Sequence, residues 1–268
     1  MKPTKKILGA VSYLNTVPLI YCFEDLLVNY SLKLDYPSRL ADSLGRGEMD
    51  CALIPTIEVL GAPDYQVVSD ACIGCRGPVW SVKLLSRRPI SEIRSIAFDE
   101  GSRTSIALCR ILLDRFWKVS PATEILPFDA DFRTSSTDAV MIIGDRAMQE
   151  DQSFPYQFDL GQVWNEWTGL PFVFAVWAAR PEADMAYLDR ELSIARDKGL
   201  HVVEQIVAQY HATHHLDVAQ CRHYLTGHLN YYLGEVERES MRHFAQLAAE
   251  LSLISPQSKL NFYDCQFA

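Results

Sequence analysis

The chain lacks any window approaching the roughly eighteen uninterrupted apolar residues that a membrane helix needs. It also lacks a Lys/Arg block after residue 6, and its formal charge is −9. Neutralising phosphates takes a basic face, so no nucleic-acid partner is expected. No G-x-G-x-x-G, Walker loop, G-x-S-x-G or pyridoxal-type signature occurs, which removes support for a nucleotide or organic cofactor. Seven cysteines (Cys22, Cys51, Cys72, Cys75, Cys109, Cys221 and Cys265) are an odd number, set mostly in apolar segments. That usage fits reduced thiols in the cytoplasm rather than a disulfide framework. Cys72-Ile73-Gly74-Cys75 has no second pair at zinc spacing, and His211, His214 and His215 lack the Glu of a zinc-protease motif, so no metal is expected. The start, Met1 to Lys6 followed by Ile7–Val11, resembles a secretory signal only superficially, because Ser12 ends the apolar core too early.

What is present is a globular composition, 49% hydrophobic and 22% charged over 268 residues, enough for two domains. Apolar runs rich in Val, Ile, Leu and Phe predict strands at 6–11, 30–35, 50–54, 79–86, 94–98, 123–127, 138–143 and 172–179. Helical spacing predicts helices near 16–27, 38–47, 56–62, 103–118 and 144–149, and only helices from about 183 to 252. Leu85–Pro89 and Ala178–Pro181 end two strands in the same way, with basic residues and a proline. Residues 87–180 are therefore expected to form a second α/β lobe, and 1–86 plus 181–268 a discontinuous first one. Two α/β lobes joined by two crossings predict a cleft, where small ligands preferentially lie.

Polar residues gather where strands end. Ser12, Tyr13, Asn15 and Thr16 follow the first strand, the position at which open α/β sheets bind ligands; Asn15 or Thr16 serves equally as a helix cap. Ser102, Arg103, Thr104 and Ser105 open the helix after 94–98. There, free N–H groups and the dipole favour a carboxylate, and plain capping is the alternative. Arg103 is either an anion partner or a solvated charge. Thr56 starts a helix after Pro55 with Glu58 in its first turn. Gly144 and Asp145 repeat the arrangement in the second lobe, with Asp145 as cap or ligand contact. The aromatic run Gly161–Trp177 is expected in the core of the second lobe, with some rings walling the cleft.

Taken in order, V-S-Y-L-N-T-V-P-L (11–19), G-E-M-D-C-A-L-I-P-T-I-E (47–58), G-P-V-W-S-V-K-L-L-S (77–86), D-E-G-S-R-T-S-I-A-L (99–108), I-G-D-R-A-M (143–148) and T-G-L-P-F-V-F-A-V-W (168–177) resemble the chorismate dehydratase family of the futalosine route to menaquinone. The segment Tyr224–Tyr232 fits it more loosely, and Thr56 stands where serine is common. The resemblance implies a two-lobed type II periplasmic-binding-protein-like fold with a helical C-terminal region. It implies chorismate as substrate and 3-[(1-carboxyvinyl)oxy]benzoate plus water as products. Asn15 would be catalytic, and Ser12, Tyr13, Thr56, Ser81, Ser102, Arg103, Thr104, Ser105, Gly144 and Asp145 would bind the dianion. The motifs hold no histidine, and their one lysine is Lys83 within the strand 79–86, so the substrate's own enolpyruvyl carboxylate is the expected base, with Glu58 and Asp145 as alternatives. Two other functions remain open: a non-catalytic cytosolic binder of a small carboxylate, and the sister enzyme that acts on cyclic de-hypoxanthine futalosine. The chain is compatible with a homodimer.

Overall fold

The computed structural model describes residues 5–62, 64–149, 152–181, 183, 187–257 and 260–262. Its strands run β1 (Lys6–Val11), β2 (Tyr30–Asp35), β3 (Cys51–Pro55), β4 (Gln66–Cys75), β5 (Val82–Ser86), β6 (Ser95–Asp99), β7 (Ala122–Leu126), β8 (Ala139–Ile143), β9 (Tyr156–Asp159), β10 (Phe172–Ala179), β11 (Asn230–Tyr232) and β12 (Asn261–Phe262). They form two mixed sheets. The first has the order β11-β4-β10-β3-β1-β2, with β12 beside β4; the second has the order β7-β6-β8-β5-β9. β1 pairs in parallel with β2 and β3, while β10 runs antiparallel between β3 and β4. In the second sheet β6 lies parallel to β7 and β8, and β5 antiparallel to β8 and β9. β3, β8 and β10 are buried along their whole lengths, as continuous apolar strands covered on both faces are.

Sheet membership moves both crossings. β5 belongs to the second sheet and β10 to the first, so the chain changes lobes at 76–81 and 169–171 rather than near 87 and 180. The basic-proline endings at Arg87-Arg88-Pro89 and Arg180-Pro181 are the far ends of those strands, where the chain leaves a sheet. The near ends make the crossing. Gly77 and Gly169 have positive φ there, and Trp80 does so at φ 66°. The Asp159 carboxylate holds this turn by accepting the N–H groups of Val79 and Trp80 at 3.0 and 2.6 Å.

The first sheet is larger than its sequence signals suggest. β4, ten residues long, carries no strong strand pattern because Ser69, Asp70, Ala71 and Gly74 dilute it, yet it pairs with β10, β11 and β12. The region from 183 to 252 is not purely helical either. Leu188–His201, Val203–Tyr210, Val218–His223 and Glu235–Glu250 are helices, but Asn230–Tyr232 is drawn out as β11 against Gly74 and Ala71. The aromatic run also differs from expectation. Trp164 packs on Phe172 of β10 and on Phe244 of the last helix, at centroid distances of 5.3 and 6.1 Å, tying the second lobe to the first. Cys72 and Cys75 stand three apart on one strand and so point to opposite faces. Burial pushes both thiols well above their ordinary range. Among the described residues no three His, Cys, Asp or Glu side chains gather as metal ligands, and no helix is long and apolar enough to cross a membrane.

Candidate active site

Where the lobes meet lies a narrow, partly open slot, with ≈ 470 Å³ of space not filled by atoms when the adjoining solvent is included. The turn after β1 supplies Tyr13 and Asn15. The crossing into β5 supplies Val79 and Ser81, the start of the helix Arg103–Ile111 supplies Ser102 and Ser105, and the end of β8 supplies Ile143 and Gly144. Pro37, Pro55, Ile73 and Phe174 complete an apolar wall. Among the described residues, no carboxylate, imidazole, ammonium or guanidinium lines the slot.

Each polar group has a structural reason to be where it is. Ser102 is the N-cap of Arg103–Ile111: its Oγ accepts the Ser105 N–H at 3.2 Å and donates to Ser105 Oγ at 2.8 Å. The Ser105 hydroxyl proton is then left for a ligand, beside the free N–H groups of the first helical turn. Asn15 Oδ1 accepts the Thr16 hydroxyl at 3.2 Å, so its amide nitrogen is the remaining donor. Gly144, at φ 73°, donates its N–H to the Ser81 carbonyl at 2.9 Å and lies under the Tyr13 ring, where a Cβ would come within 2.8 Å of a ring carbon. Burial first, and then the charge of Asp99, push the Tyr13 phenol well above its usual range, so it is a neutral donor.

Sequence reasoning missed Asp99. It is almost fully buried and accepts Gly101 N–H at 2.9 Å, Ile143 N–H at 3.2 Å and Arg146 Nη2 at 2.5 Å. It thus fixes the loop that presents Ser102. An acid two residues before the Gly of a strand-to-helix turn is the signal that would have found it. Tyr224 was missed as well; it is buried next to Ser81 and Asn15, and no local motif announces it.

Five expected contacts lie outside the slot lining. Ser12 is exposed and faces a broader outer groove shared with Tyr21, Tyr30 and Tyr210, because consecutive residues leave a strand end in opposite directions. Arg103 is not a free charge: it pairs with Asp42 at 2.8 Å and Glu58 at 3.3 Å, both in the first lobe. Thr104 is fully buried, and its Oγ accepts the Ile57 N–H at 3.2 Å, capping the first-lobe helix Thr56–Gly61 from across the interface. Thr56 is buried behind Pro55, with no hydrogen-bond partner for its hydroxyl among the described residues. Asp145 is not part of the slot lining and accepts His214 Nδ1 at 2.7 Å and the Leu14 N–H at 3.4 Å. Both candidate protein bases, Glu58 and Asp145, are therefore engaged in bridges between lobes.

These bridges close the molecule over the slot. Ser38 N–H also reaches the Gly101 carbonyl at 3.3 Å, and Tyr36 stacks on Phe128 at 4.5 Å.

Comparison with known proteins agrees with this architecture. A family model described as menaquinone biosynthesis matches residues 7–250. A chorismate dehydratase of Thermus thermophilus is 27% identical over 265 residues, spanning 90% of this chain and 94% of its own. A chorismate dehydratase of Campylobacter jejuni is 27% identical over 254 residues, spanning 92% and 99%. Among solved structures, a protein of Archaeoglobus fulgidus superposes with a TM-score of 0.77 at 15% identity, over 95% of this chain and all (100%) of that one. The periplasmic aliphatic sulphonate binding protein of Escherichia coli does so with a TM-score of 0.64 at 16% identity, over 96% of each. The chain belongs to the menaquinone biosynthesis family and has a periplasmic-binding-protein-like fold.

Proposed function

We propose that the protein is a chorismate dehydratase, which removes water from chorismate to leave 3-[(1-carboxyvinyl)oxy]benzoate. The observation that carries this is a slot lined, among the described residues, by neutral hydrogen-bond donors and apolar side chains. Chorismate is a dianion that brings its own base. The enolpyruvyl carboxylate takes the proton from the ring carbon bearing the ether, the C–H electrons enter the ring, and the neighbouring C–O bond breaks. The departing oxygen collects the proton and leaves as water, and the new aromatic ring supplies the driving force. What remains for the protein is orientation and stabilisation of the leaving hydroxyl. Ser102, Ser105 and the helix start receive one carboxylate; Asn15 and Tyr13 hold the reacting side in register. The two homologous dehydratases support the same substrate. The buried, reduced thiols accord with work in the cytoplasm.

Incubating the purified chain with chorismate, without added metal or cofactor, and following mass by chromatography tests this. A product lighter by one water, with an aromatic spectrum, is expected. Likeness to a sulphonate-binding protein favours the second reading, a binder of small carboxylates. Tight binding of chorismate that is recovered unchanged would select it.

A further inference from the structure

Tyr224 is fully buried, yet its hydroxyl makes no hydrogen bond of good geometry among the described residues. A phenylalanine would fill the same ring space without that desolvation penalty, so packing alone gives no reason for the oxygen. The hydroxyl is not remote from polar groups. Ser81 and Asn15 are the side chains close enough to stabilise its ionised form, and both line the slot.

The backbone around it is irregular in a way that aims the ring. Val218–His223 is an α-helix, but Tyr224–His228 continues it as a wide π-helical turn before the chain extends into β11. Such turns rotate the following side chains out of helical phase and recur at functional sites. The Tyr224 ring meets Trp80 edge-on at 5.8 Å and 70°. Trp80 is itself fixed at the crossing by Asp159. The ring is thus clamped between the C-terminal helices and the crossing, with its buried oxygen beside Asn15 and Ser81, directly behind the slot lining.

We propose that the Tyr224 hydroxyl donates a hydrogen bond to the substrate's leaving hydroxyl, acting beside Asn15. The proposal rests on the dehydratase reading. Burial raises the phenol far above its ordinary range, so it remains a neutral donor at any working pH. As the C–O bond breaks, its electron pair stays on the departing oxygen, and the Tyr224 hydrogen bond strengthens with that charge. The proton that completes water comes from the carboxylic acid the substrate has just formed, and Tyr224 ends the cycle protonated. A donor of this kind acts in the transition state more than in the bound state, so its loss lowers kcat and leaves KM nearly alone.

Tyr224→Phe removes only this oxygen. With chorismate as substrate, kcat is expected to fall about 30-fold or more and KM to change less than about threefold, with the melting temperature unchanged or higher. A kcat within about threefold of wild type overturns the proposal, as does a fall in activity matched by loss of melting temperature. Crystals of Asn15→Ala soaked in chorismate give a readout independent of that variant's folding. Tyr224 Oη within about 3.2 Å of the ring hydroxyl supports the proposal, and an Oη bonded only to protein overturns it. A wild-type chain inert toward chorismate sinks the dehydratase reading and this inference together. An active wild type with a fast Tyr224→Phe sinks this inference alone.

Discussion

The lining of the slot and the rim around it are a few ångströms apart and opposite in chemistry. The rim is charged: Arg103 with Asp42 and Glu58, and Asp145 with His214, each pair joining one lobe to the other. The slot holds hydroxyls, an amide, a helix start and apolar walls, with no formal charge of its own. An arginine inside is the obvious partner for a dianion. But a guanidinium beside a carboxylate lowers its pKa by about 1–3 units and so weakens it as a base. On the proposed substrate-assisted reading, neutral donors would hold the same group and leave more of its basicity. The charged pairs on the rim join the two lobes instead.

The sharpest way to break this contrast is to put charge in the slot. Ser105→Asp sets a carboxylate against the substrate's own. Like charges at close quarters cost several kcal/mol, so calorimetric affinity for chorismate should fall by about 10³-fold. Asn15→Ala keeps the slot neutral but removes a donor. Stopped-time assays should show kcat lower by roughly 10²-fold to 10³-fold, the usual cost of one such group, with a near-normal melting curve. Turnover close to wild type would remove Asn15 from the chemical step.

Gly144→Ala tests the joint between the two regions. The added methyl meets the Tyr13 ring in a backbone conformation that side chains disfavour, and a loss of about 1–3 kcal/mol in denaturant unfolding is expected.

The rim should be milder. Asp145→Asn loses its charge but keeps an oxygen for Leu14 N–H, so KM is expected to rise by up to about tenfold with kcat retained. Abolished turnover with intact chorismate binding would instead make Asp145 the base. Arg103→Ala should matter least. Its pairs are partly exposed, each worth about 0–1 kcal/mol, so KM should shift only a few-fold and less so in high salt.

The motifs at 11–19 and 99–108 made the slot legible in sequence, because a polar cluster directly after an apolar strand has few other uses. Tyr13, Asn15, Ser81, Ser102, Ser105 and Gly144 all line the slot. Arg103 and Thr104, within 99–108, and Asp145, within 143–148, serve the lobe interface instead. On a helix start, adjacent residues point about 100° apart, and nothing local says which direction will meet the other lobe. Asp99 was within reach as a turn acid. Tyr224 was not, because its meaning depends on a π-helical turn and on Ser81, far away in sequence.

By itself the sequence determined two α/β units and the strand ends on which polar groups stand. Those properties follow from local periodicity and composition. Tertiary structure alone decided where the chain crosses between sheets, that β4 and β11 are strands, and which member of each polar cluster faces the slot. Pairing and lobe closure bring together residues that lie far apart along the chain, and no local pattern encodes that meeting.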